Sequence, residues 1–83
     1  MQFQEIDEAV EVWLRVGAGK ITPERVRWGQ TEYHVVAVHN VWRQKLGQHA
    51  QIHLACTTRE NAALELVIDP IDLSCRLARL SVG

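Results

Sequence analysis

The chain is short of cysteine, of long apolar runs and of basic residues near its N-terminus, and each shortage excludes a class of protein. Its two cysteines, Cys56 and Cys75, lie inside apolar segments rather than at turns. One disulfide is arithmetically open, but an isolated pair in a chain without an export signal reads as two buried thiols. No apolar run approaches the ~18 residues that a membrane helix requires, so no membrane contact is expected. The N-terminus, MQFQEIDEAVEVW, is acidic where a secretory signal would be basic, and a cytoplasmic location is therefore expected. Internal repeats and low-complexity stretches are also missing.

Catalytic signatures are equally scarce. The GAGK of residues 17–20 lacks the spacing and the following Ser or Thr of a phosphate loop, so Lys20 reads as a surface lysine. No Gly-x-Ser-x-Gly, no paired acids in a cleft context and no cofactor fingerprint appear. His49 and His53 stand about 13 Å apart on one face of a strand at ~3.3 Å per residue, too far to share an ion unless the segment is helical. A metal site assembled across strands from His39, His53 and a cysteine stays open. The expectation is a non-enzymatic protein with no catalytic residue, cofactor or metal.

What is present is β-prone sequence. With 83 residues the chain has room for one domain. A domain of this size buries roughly 60–65% of its unfolded surface, enough for a single modest core. The organising stretch is Arg25 to Arg43, RVRWGQTEYHVVAVHNVWR, with two of the three tryptophans and the only tyrosine. A two-residue reversal at Gly29-Gln30, of type II′ with glycine first, sets the register. Trp28 then faces Thr31, Arg27 faces Glu32, Val26 faces Tyr33 and Arg25 faces His34. Alternation turns Val26, Trp28, Tyr33 and Val35 inward and Arg25, Arg27, Glu32 and His34 outward.

The remaining segments extend this pattern. Residues 1–8 read as a flexible acidic end, with a short helical turn as the alternative, and 9–83 as one β-rich domain. Ala9 to Val16 alternates as a strand with Trp13 on its polar side, and Gly17-Ala18-Gly19 follows as a flexible connection. Residues 35–46 read as a strand that enters the interior, with Asn40 marking a bulge or a bend, although Val35, Val38, Val41 and Trp42 also fit helical spacing. Arg43 to His49 reads as a loop around Gly47. Residues 52–57 and 62–68 form a second hairpin about TREN, with Leu64, Leu66 and Ile68 inward, closed by Asp69-Pro70. Leu73 to Val82 is the last element, with Leu73, Cys75 and Leu77 inward, and its LARL end also fits a short helix. The fold class is mainly β: an antiparallel meander of five or six strands, curled into a roll or partly open barrel.

The run RVRWGQTEYHVVAVHNVWR, with IHLACTTRENAALELVIDP and CRLARL after it, resembles a group of small uncharacterised bacterial domains. The shared features are Arg27, Trp28, Gly29, Tyr33, Val35, Trp42, Arg43, Leu64, Leu66 and Arg79. The resemblance implies a small β-rich module, some of whose relatives accompany DNA-repair polymerase-like proteins, and it implies no activity.

Charge divides the chain unevenly. Net charge is −1, yet residues 1–11 hold Glu5, Asp7, Glu8 and Glu11 and no base, leaving the remainder mildly basic. Two partner classes follow. Tryptophans, an arginine-bearing strand face and free sheet edges suit a protein partner, including weak homodimerisation by edge pairing. Aromatic faces beside basic residues also suit single-stranded nucleic acid. The surface expected for either is Trp13, Arg25, Arg27, Trp42 and Arg43.

Overall fold

Alternation of apolar and polar side chains, punctuated by tight reversals, is realised as seven antiparallel strands in a computed structural model that describes residues 3–82. Residues 1–2 and Gly83 lie outside the described residues. The strands are β1 (Gln4–Ala9), β2 (Glu11–Gly17), β3 (Lys20–Trp28), β4 (Thr31–Leu46), β5 (His49–Thr58), β6 (Ala62–Ile68) and β7 (Cys75–Val82). They form one open sheet in the order β1-β7-β6-β5-β4-β3-β2. Its two edge strands, β1 and β2, are consecutive in the chain and separated by Val10 alone. The sheet therefore curls until its first and last strands meet at a corner. There Val10 N–H donates to the Cys75 carbonyl (3.1 Å) and the Trp28 indole N–H donates to Glu8 Oε1 (3.2 Å).

The central hairpin takes the register set by its reversal, pairing Arg25 with His34, Val26 with Tyr33, Arg27 with Glu32 and Trp28 with Thr31. Gly29 has φ 62° and Gln30 has no positive φ, as a II′ turn requires. Two connections are tighter than the sequence suggests. Ala18 and Gly19, at φ 52° and 74°, make a two-residue reversal of the I′ kind instead of a flexible link. The loop expected over 43–49 shrinks to Gly47-Gln48, because β4 and β5 stay paired out to Leu46 and His49. Residues 35–46 are strand throughout, and no helix occurs among the described residues.

Seven strands replace the expected five or six because the acidic N-terminal end is itself a strand. Within residues 1–8, expected to be flexible, 4–8 join Ala9 in β1 and pair with β7, where Glu5 reaches Arg79 (3.0 Å) and Asp7 reaches Arg76 (3.0 Å). These acids meet cations near the other end of the chain.

One face of the curled sheet forms the core. Leu54, Leu64, Leu66, Ile68, Leu77 and Val26 are almost wholly buried, with Cys56, Tyr33 and Leu80 beside them. Leu73 departs from expectation: it has φ 61° and stays exposed, so β7 begins at Cys75. The 69–74 loop is held by side-chain caps, Asp69 Oδ1 accepting from Ile71 N–H and Asp72 Oδ1 from Ser74 N–H, each at 2.9 Å.

Candidate functional site

The five residues expected to share a surface are dispersed to several places by the pleat. Trp13 and Arg25 are brought together, paired across the β2–β3 ladder with the guanidinium over the indole. Arg27 lies on the same outer face but pairs with Glu11 of β2, while its ladder partner Glu32 leans to Arg25 at 4.0 Å. Trp42 is on the outer face of β4, stacked on His53 with centroids 5.3 Å apart and planes 20° from parallel. Arg43, the next residue, points to the inner face opposite Ile52.

Arg43 lines an opening between β3 and β4. β4 pairs with β3 only through His34 and thereafter with β5 alone. The parting has local causes. Bulges between Val35 and Ala37 and between Val38 and Asn40 bend β4, and Pro23 with a further bulge at Trp13/Leu14 interrupts the other wall. A bulge sharpens twist and a proline removes a ladder donor, so the two strands diverge where both occur.

The result is a cleft of about 540 Å³ with a floor of Val38, Ile52, Leu54 and Ile68 and rims at Ile21 and Val41. Val41 stands opposite the buried Leu54, on the core side of the sheet, yet is 54% exposed because nothing covers it. Ile21 is 37% exposed for the same reason.

The charges around the cleft differ from those elsewhere. Arg15, Arg25, Arg27, Arg59, Arg76 and Arg79 each lie within 4.0 Å of a carboxylate. Lys20 and Arg43 line the cleft and Lys45 follows on the same face of β4; among the described residues none of these three has an ion-pair partner. No Asp or Glu lines this cleft. The free cations are gathered at one apolar opening, and Lys20, read from sequence as an incidental surface lysine, is one of them.

Two other features were missed in the sequence. Glu60, in the β5–β6 turn, accepts from the His34 main-chain N–H at Oε1 (2.7 Å) and faces its ring Nδ1 at Oε2 (2.7 Å). Those hydrogen bonds, the main-chain one foremost, hold its carboxyl down at about 2. On the outer face a row crosses the sheet from Trp42 through His53 and Glu65 to Arg79, with His53 Nδ1 3.8 Å from Glu65 and Arg79 Nε 3.6 Å from it. Neither is foreshadowed by local sequence, since each joins strands distant in the chain.

The thiols are free and buried, and burial pushes Cys56 up to about 11 and raises Cys75. Cys56 faces the core while His53 lies against Trp42 on the outer face, so the cross-strand ligand set of His39, His53 and a cysteine is not assembled. No group of three ligating side chains occurs among the described residues, and no helix there is long and apolar enough to cross a membrane. Compared with known proteins, the chain matches no family model, no curated protein and no solved structure.

Proposed function

We propose that this chain is a non-enzymatic accessory domain of the cytoplasm that binds another protein, and that the β3–β4 cleft is the binding surface. The observation that carries the reading is the exposure of core-side residues, Val41 and Ile21, beside a strand edge that has no partner among the described residues. Contiguous apolar surface rimmed by polar groups marks an interaction site, and a bare strand edge supplies unpaired main-chain donors and acceptors. A random peptide library displayed against the folded domain tests it. Selected binders that lose affinity for a Val41→Lys variant support the reading; binders indifferent to that substitution, or none at all, contradict it.

Single-stranded nucleic acid is the second reading, and the specific observation for it is Trp13, 38% exposed beside Arg25. Weighing against it, most arginines of that face already meet carboxylates. A polyanion would have to displace Glu11 from Arg27 and Glu32 from Arg25. Affinity for a fluorescent oligonucleotide that falls steeply with salt would favour this reading over the first.

A further inference from the structure

Resting on that protein-binding reading, we infer that the occupant of the cleft is an extended peptide added as a strand along the open edge of β4, its cleft-facing side chains apolar beside Val41 and acidic beside Arg43 and Lys45. Three observations point to this chemistry. The edge of β4 beyond His34 has no strand beside it among the described residues, so its outward main-chain groups are free to pair. Strand addition satisfies these groups with the partner's own backbone, and alternate side chains of the added strand turn to one face.

The second observation is the apolar floor. Val41 and Ile21 rim the cleft and Ile52, Leu54 and Ile68 lie beneath, a surface that removes apolar side chains from water. The third is charge. Among the described residues, Lys20, Arg43 and Lys45 have no carboxylate partner and no acid lines the cleft. In a separate opening nearby, Glu24 is already met by Arg15 at 3.8 Å. Carboxylates on the incoming strand complete the pairing that the domain leaves open and steer the encounter.

A second copy is a poorer occupant. The acidic strand of this chain is β1, and it is already paired to β7, with Asp7 and Glu5 held by Arg76 and Arg79. The geometry thus favours a strand from a different chain.

The probe is a valine–glutamate peptide, fluorescein-labelled, in which threonine alternates with a second residue that is valine in one half and glutamate in the other. It is titrated into the full chain by anisotropy and followed by amide NMR; the valine–lysine control carries lysine at the glutamate positions. Binding is expected, with shifts concentrated on Ile21 and on Val38 to Lys45. A valine–lysine peptide should not bind, and N-methylation of alternate peptide amides should abolish binding. The double variant Arg43→Glu, Lys45→Glu should weaken binding about tenfold or more, as loss of charge-assisted contacts implies. Both residues are exposed, and unchanged core amide shifts will report that the variant folds.

Equal binding of the valine–lysine or N-methylated peptide within the cleft would overturn the strand-and-charge inference while leaving the protein-binding reading standing. Shifts elsewhere on the sheet, or no binding of the valine–glutamate peptide, would also overturn it. The broader reading falls separately, through library binders indifferent to Val41→Lys.

Discussion

The guanidinium carbon of Arg25 lies 3.9 Å from the centroid of the Trp13 ring, and the two residues face each other directly across the β2–β3 ladder. A cation over an indole at a partly exposed site is worth about 0.5–1 kcal/mol. A double-mutant cycle of Trp13→Ala and Arg25→Ala, read by urea unfolding, should give a coupling of about that size. Strict additivity would mean that the pair is a solution-averaged neighbour without energetic content. The same cycle bears on the nucleic-acid reading, because an indole already covered by its own arginine is less available to stack on a base.

Leu66 is fully buried, faces Leu54 and Leu77 on neighbouring strands, and occupies the middle of the core. Leu66→Ala should cost about 2–5 kcal/mol in urea unfolding, as truncation of a leucine in a tight core does. Val36, on the opposite face and 63% exposed, is the control. Val36→Ala should change stability by no more than about 0.5 kcal/mol. Equal costs at the two sites would contradict the assignment of inner and outer faces.

The central hairpin was legible because its information is local. Gly29 fixes the reversal, and a period of two then dictates each pair from Trp28/Thr31 to Arg25/His34. The inward row of β6, Leu64, Leu66 and Ile68, was legible for the same reason. The cleft was not. It depends on two bulges, of which Asn40 announces the one at Val38/Asn40, while the one at Val35/Ala37 falls in a run of valines with nothing to mark it. The arginine partners were hidden too: Arg27 is opposite Glu32 in its hairpin but pairs with Glu11 on the preceding strand, whose register follows from the Ala18-Gly19 reversal that the sequence reads as a flexible link. A strand as acidic as β1 reads as a solvated end until its partner strand, with Arg76 and Arg79, is known.

Glu60 gives the fold a defined acid response. Its carboxyl is lowered from 4.5 to about 2 by hydrogen bonds from His34. A depressed value means that the contribution to stability is present above the ordinary carboxylate range and is lost as pH falls from there through about 2. The stability gap between the native chain and Glu60→Gln should therefore be full at neutral pH and close progressively on acidification. A gap that is constant between neutral pH and pH 2 would show that Glu60 does not hold the β5–β6 turn to β4 through its charge.

The claim on which the binding surface depends is that β4 leaves β3 after His34 and carries an open edge from there to Leu46. Residue-by-residue amide hydrogen exchange of the free domain measures this most directly. The expected result is alternation along β4 beyond the hairpin, with amides aimed at β5 protected and those aimed at the cleft exchanging rapidly. Uniform protection of both edges from Val35 to Leu46 would show that a strand already fills the opening, and the cleft would not be available to a partner.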